Sequence, residues 1–172
     1  MTLKLVAPSM AYAAQIAVYK AEFLAADDSM DGTSNLRNID TIEEWLDRLQ
    51  QNASEATVPP QLVPETLFLT VRTEDDRLVG MIDIRHRLNA YLSQFGGHIG
   101  YSIRPTERRK GYAKEQLRLA LPYCRQIGIE KVLITCDKEN TGSAKTILAN
   151  GGVLENEVPE ENRVTQRYWI ML

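Results

Sequence analysis

Hydrophobic positions along this chain alternate between a period of two and a period near 3.6, and the switches between the two mark its elements. Leu3 to Val6 is a short apolar run that predicts a first strand. Pro8-Ser9 then opens a helix to about Ala26, with Ile16, Tyr19, Phe23 and Ala26 on one stripe. Asp27 to Asn38 is polar and reads as a loop. Thr41 followed three residues later by Glu44 is a capping-box pattern, and Trp45, Leu46 and Leu49 give the second helix its apolar face. The segment Asn52 to Pro64 holds three prolines and predicts a second loop. Leu67 to Arg72 and Leu78 to Arg87 predict two strands joined through Thr73 to Arg77 as a hairpin. Leu88 to Gln94 is an irregular connector or a short helix.

The second half has the cleaner patterns. His98 to Ile103 alternates with period two and predicts a strand, which Pro105 ends because proline cannot donate to a ladder. Ala113, Leu117, Ala120, Leu121 and Cys124 then fall on one helical face, with Gly128 as its stop. Pro122 lies inside that helix, cannot donate to the carbonyl of Arg118, and predicts a kink. Lys131 to Cys136 is the next strand, and Ser143 to Ala149 a short helix stopped by Asn150-Gly151-Gly152. Gly152 to Val158 and Val164 to Met171 predict a last antiparallel pair around Pro159 to Arg163. The order β-α-α-β-β-β-α-β-α-β-β gives a mixed α/β or α+β fold.

Composition narrows the class. At 172 residues and 44% hydrophobic content, one globular domain over residues 1–172 is expected. The net charge of −3 argues against a general nucleic-acid binder. Basic character is local, in Arg104, Arg108, Arg109 and Lys110. Cys124 and Cys136 fall on predicted core faces and read as buried free thiols. Two histidines and two cysteines form no ligand pattern, so no metal is expected. No signal peptide or long apolar stretch is evident, so a cytoplasmic protein without a membrane partner is expected.

The candidate chemistry starts at Arg108-Arg109-Lys110-Gly111-Tyr112-Ala113, a basic turn between a strand and a helix. Such a turn presents backbone N–H groups and the positive end of the helix dipole to an anion, which points to a phosphate. It is neither a P-loop nor a dinucleotide fingerprint, because the glycine spacing of both is missing. It fits Arg/Gln-x-x-Gly-x-Gly/Ala on Arg108, Gly111 and Ala113, and so resembles the pyrophosphate-binding motif of the GNAT superfamily of N-acetyltransferases. Asn140-x-x-Ser143 before a glycine pair is similar to the second cofactor-contacting segment of that family. The phrase Gly96-Gly97-His98-Ile99-Gly100-Tyr101-Ser102-Ile103-Arg104-Pro105 leading into the motif looks like a bacterial branch of it.

The resemblance implies a twisted, mostly antiparallel central sheet flanked by helices, and acetyl-CoA as co-substrate. It places the pyrophosphate on residues Arg109 to Ala113, with Arg108, Lys110, Tyr112 and Lys114 beside it. It places the pantetheine arm on the strand edge Ser102-Ile103-Arg104, and a second contact at Asn140 and Ser143. A strand N–H would stabilise the oxyanion of the tetrahedral intermediate. The expected reaction is direct transfer of acetyl to a primary amine of a small molecule or peptide, with a homodimer as a possible assembly. His98 is either the general base, since an imidazole titrates near neutral pH, or a polar residue on a half-buried strand. His86 reads as a surface residue, and Glu22 and Asp83 are lesser candidates for the base. Many relatives carry a tyrosine seven residues after the motif Asn to protonate the departing thiolate; here that residue is Ile147. Tyr101, Tyr112, Ser143 or water then remain as proton donors, or the domain binds acyl-CoA without turning it over, as a sensor or partner-binding module. Asp27, Asp28 and Asp31 either attract a cationic acceptor or form a solvated loop.

Overall fold

The computed structural model describes residues 2–172, and its elements follow the order read from the hydrophobic pattern. Strand β1 (Leu3–Val6) is followed by a 3-10 turn at Met10–Tyr12, helix α1 (Ala13–Ala25) and helix α2 (Ile42–Gln51). Strands β2 (Glu65–Arg72), β3 (Arg77–Arg85) and β4 (Ile99–Ile103) complete the first half. Helix α3 (Tyr112–Gln126), β5 (Lys131–Asp137), α4 (Thr141–Ala149), β6 (Val153–Pro159) and β7 (Val164–Met171) complete the second.

The strands form two antiparallel sheets, β1-β2-β3-β4 and β5-β7-β6. The only link between them among the described residues is an isolated bridge, Gly97 to Ile134. β4 and β5 therefore separate into a V instead of pairing along their length. Two cores follow from this layout. Ile16, Tyr19, Phe23 and Trp45 of α1 and α2 pack on Leu67, Leu69 and Met81 of the first sheet. Leu117, Ala120 and Cys124 of α3 and Ile147 of α4 pack with Ile82, Ile84, Val132, Ile134 and Tyr168 across both sheets.

Local chemistry explains most boundaries. Thr41 accepts the Glu44 N–H at the start of α2, a cap that contributes about 1 kcal/mol. Gly128, just past α3, has φ +90° and supplies the left-handed stop. The helix runs on through Pro122 to Gln126 without being ended by it. The polar stretch after α1 is not slack: it turns at left-handed Asp27, Gly32, Ser34 and Asn35 and includes a 3-10 turn at Leu36–Asn38. Trp45 explains its order, being fully buried while its indole N–H donates to the Thr33 carbonyl at 2.8 Å. The segment expected as connector or short helix closes with a π-turn at Leu92–Gly96, which Arg85 holds by donating to the Gly96 and Gly97 carbonyls.

Candidate active site

The V between β4 and β5 opens from one joint, and His98 makes it. The His98 N–H donates to the Leu133 carbonyl at 2.7 Å, and the Leu133 N–H donates to His98 Nδ1 at 2.9 Å. The ring is 7% exposed and does not line the cleft. Burial, helped by the Arg85 charge, pushes its pKa down to about 4. The expectation of His98 as general base is corrected here, because its Nδ1 lone pair is spent on a backbone amide. The alternative reading, a polar residue fixed in a half-buried strand, fits this placement.

The ladder of β4 decides which backbone groups face the cleft. The Arg85 N–H donates to the His98 carbonyl and the Arg104 N–H to the Val79 carbonyl, both on β3 or its end. In an antiparallel pair alternate residues address the same neighbour. Gly100 and Ser102 thus turn their N–H and C=O toward β3, whereas Tyr101 and Ile103 turn theirs toward the open side. The expected strand edge Ser102-Ile103-Arg104 is corrected to Tyr101 and Ile103. The Ser102 hydroxyl lies 2.8 Å from the Tyr19 hydroxyl. Arg104 is 4% exposed, with its guanidinium on Glu22 and on the Leu78 carbonyl, so it is a tie between α1 and the sheet and not a cofactor ligand. Glu22, once a candidate base, is consumed by the same pair and by the Thr106 N–H.

The basic turn gathers backbone donors that have no partner within the described residues. Arg109 has φ +65° and Gly111 φ +80°, between an extended Arg108 and the helix that begins at Tyr112. Among the described residues, none accepts a hydrogen bond from the N–H of Arg109, Lys110, Gly111, Tyr112, Ala113 or Lys114. A helix leaves up to four such donors; here two more precede it. A Cβ on Gly111 would meet nothing within 4 Å, so glycine is required by φ and the space above it is open cleft. Glu107 stiffens the turn from below. It is 5% exposed and ion-paired to Lys110 at 2.7 Å, Arg77 at 2.8 Å and Arg72 at 3.0 Å. Burial pushes its carboxyl up, but the three cations together hold it below the usual carboxylate range. Arg72 also donates to the Tyr112 hydroxyl at 3.3 Å. Arg108 is held by Asp28 at 2.6 Å, donates to the Ile103 carbonyl and stacks over Phe23. Asp28 is thus tied to the turn, and both it and Asp31 line the cleft.

The opposite wall comes from β5 and α4. Asn140 Oδ1 accepts the Ser143 N–H at 3.1 Å and caps α4. Ser143 Oγ lies 2.7 Å from the Tyr101 hydroxyl, so the two walls touch. Burial raises the Tyr101 pKa well above the ordinary phenol value, and the phenol stays protonated at neutral pH. Ile147 points into the core and is fully buried, so a proton donor at that position of α4 would not reach the cleft. Cys136 also lines the cleft; burial pushes its thiol up to about 11. Arg108, Arg109, Gly111, Tyr112, Ala113, Lys114, Asn140 and Ser143 come together around one cavity of about 1150 Å³. Sequence reasoning missed Glu107, Arg72 and Cys136, and His98's link to Leu133. No signal in the primary pattern points to Glu107, since its partners come from three separate elements.

Residues 5–153 match the family model for the acetyltransferase (GNAT) domain. The chain belongs to the GNAT acetyltransferase family. A search of curated protein sequences finds no significant match. Solved GNAT structures superpose over nearly the whole chain. A ribosomal-protein-S5-alanine acetyltransferase from Vibrio fischeri is 16% identical, with 99% of this chain and 93% of that one covered and a TM-score of 0.73. A spermidine N-acetyltransferase, the SpeG K23-Q34 chimera from Vibrio cholerae and hSSAT, is 17% identical, covering 99% and 96%, at 0.69. The acetyltransferase YncA from Salmonella typhimurium, solved with its cofactor acetyl-CoA, is 13% identical, covering 99% and 94%, at 0.66. The GNAT fold accounts for the antiparallel sheets flanked by helices. Among the described residues, no helix is long and apolar enough to cross a membrane.

Proposed function

We propose that this GNAT chain is an acetyl-CoA-dependent N-acetyltransferase that moves acetyl to a primary amine. The observation that carries this reading is the row of six unpartnered N–H groups at residues 109–114, set beside the open backbone edge of β4. The pyrophosphate fits the first, where Arg109 and Lys114 add charge. The pantetheine arm fits the second, running along Tyr101 and Ile103 as an added strand. The N–H of one of these two then faces the thioester oxygen and stabilises the oxyanion as the amine attacks. The C–N bond forms, the C–S bond breaks, and the CoA thiolate leaves.

Tyr101, protonated and bonded to Ser143, replaces the tyrosine that Ile147 lacks: it gives its proton to the leaving sulfur and is refilled through Ser143 or water. Acetyl-CoA-bound YncA supports the cofactor, and the ribosomal-protein and spermidine enzymes support an amine acceptor. Titrating the protein with CoA in a calorimeter, then following free thiol from acetyl-CoA across an amine panel, tests the reading. Absence of binding heat, with no rise in thermal stability at millimolar CoA, overturns it. Tight CoA binding without turnover on any amine replaces catalysis by the sensor role.

A further inference from the structure

A second cavity, of about 740 Å³, lies on the α1–α2 face of the first sheet. It shares Asp31, Gly32, Arg85, Tyr91 and Leu92 with the cofactor cleft, so the two adjoin along these residues. The loop that separates them is pinned there by backbone contact. A Cβ on Gly32 would stand 2.4 Å from the Gly100 carbonyl oxygen, and one on Gly100 would stand 2.7 Å from Asp83 Oδ1. Two glycines thus bring the loop, β4 and Asp83 together within one contact layer.

The charged side chains lining this cavity are Asp31, Glu65, Asp83, Arg48 and Arg85. Arg48 is paired with Glu44 on its own helix, and Arg85 is spent largely on the Gly96 and Gly97 carbonyls. Glu65 from β2 and Asp83 from β3 both line this cavity, and the register that pairs Leu67 with Asp83 and Glu65 with Arg85 puts their side chains on one face of the sheet. Asp83 is 2% exposed; its Oδ1 accepts the Gly100 N–H at 3.0 Å, while Oδ2 has only Arg85, at 3.5 Å. Glu65 accepts from the Ser34 hydroxyl and from Asn52. Two facing carboxylates with so little cation around them need a proton or a positive ligand between them.

We propose that the acetyl acceptor is a cationic primary amine whose ammonium group seats in this second cavity against Glu65 and Asp83, and that this carboxylate pair takes its proton before attack. The inference rests on the acetyltransferase reading above and names the acceptor class for that same site. Burial and the Asp83 charge raise the Glu65 carboxyl to about 7, which suits a group that must accept a proton near neutral pH. The proton balance closes. The first ammonium proton passes to the pair and on to solvent. The second, released as the tetrahedral adduct collapses to the amide, balances the proton taken up by the CoA thiolate.

The test uses Asp83→Asn and Glu65→Gln in the full chain, with CoA affinity as the check that each variant folds. Probes are spermidine, 1,4-diaminobutane, short peptides with free N-terminal alanine or serine, and neutral 1,4-butanediol as control. In the CoA-bound parent, at least one ammonium probe and not the diol should bind and be acetylated. Both substitutions should keep CoA affinity near the parent's and cut kcat/KM for that probe by roughly 10²-fold, the scale of lost general-base catalysis. Glu65→Gln should also remove an ascending limb near pH 7 that the acceptor's own ionisation, common to both proteins, cannot explain. If the parent binds CoA yet binds none of the ammonium probes, or if both variants acetylate as fast as the parent, the carboxylate pair is not the acceptor site, while the acetyl-CoA reading stands. If the parent binds no CoA, the acetyltransferase reading itself fails.

Discussion

The Tyr101 hydroxyl lies 2.7 Å from Ser143 Oγ, and this pair is a polar contact across the open V between β4 and α4. It puts a half-buried, protonated phenol beside the strand edge proposed to hold the thioester. Tyr101→Phe removes the proton and keeps the ring that packs on the core around Ile134 and Tyr168. We expect kcat to fall by about 10²-fold while CoA affinity stays near the parent value, because the hydroxyl serves the leaving sulfur and not the nucleotide. Stopped thiol-release assays beside calorimetry check the split. Unchanged kcat would pass the proton to water.

His98 yields a stability prediction where the sequence suggested a catalytic one. His98→Ala leaves the buried Leu133 N–H without its acceptor and should cost about 1–3 kcal/mol. His98→Asn carries an oxygen near the position of Nδ1 and should recover much of that loss. The pH dependence has a definite sign. The folded pKa of about 4 lies below the unfolded value near 6.5, so the native state binds this proton less readily. Stability contributed by neutral His98 is therefore complete above pH 6.5 and is lost as pH falls toward 4. Denaturant titrations at several pH values should show the parent losing more stability than His98→Asn across that window. Identical pH slopes in the two proteins would remove the joint from the account.

Most of the elements were legible because they rest on local signals: periodicity, the Thr41 cap, the glycine stops. The basic turn was legible too, since its N–H donors and its Gly111 lie within six residues of chain. The working edge of β4 was not, because strand sidedness depends on register with β3: a shift of one residue exchanges Ser102 and Arg104 for Tyr101 and Ile103. Arg104 shows the limit plainly. Its place on the strand before the motif suggested a pantetheine contact, yet its partner Glu22 lies 82 residues away on α1. The Glu65–Asp83 meeting arises the same way, from the pairing of β2 with β3, and only Asp83 drew attention in the sequence.

Gly111 is required by its φ of +80°, and the open space above it is where the pyrophosphate is proposed to lie. Gly111→Val forces a β-branched residue into the left-handed region, at about 1–2 kcal/mol, and fills that space with methyl groups. CoA affinity should fall by at least about tenfold, which is 1.4 kcal/mol or more of lost binding. Gly111→Asn tolerates the backbone angle better, so its stability should exceed that of the valine variant while its CoA binding stays impaired. Calorimetry on both separates the two effects. Parent-like CoA affinity in either variant would move the pyrophosphate off this turn.

Glu107 provides the last test, because it connects the stability of the turn to its charge. Its buried carboxylate holds Arg72, Arg77 and Lys110; in Glu107→Ala, Arg77 and Lys110 lose this partner while Arg72 keeps Asp75 at 2.6 Å. Breaking a buried ion pair from one side costs about 3–5 kcal/mol at most, and the partial exposure of Arg77 and Lys110 lowers that figure. Glu107→Gln keeps the shape and some donors' partners but not the charge, and should lie between. The folded pKa is below the ordinary value, so the stability Glu107 supplies is present above about pH 4.5 and lost as pH falls through the folded pKa. Urea midpoints should therefore separate parent and Glu107→Gln at pH 7 and converge as the pH falls through the folded pKa. CoA affinity gives the second readout. With Lys110 released and the turn slackened, the N–H groups no longer stand pre-aligned, and CoA should dissociate faster from Glu107→Ala even though a positive charge has been freed. Tighter CoA binding in that variant would mean that net charge, and not the fixed geometry of the turn, governs the anion.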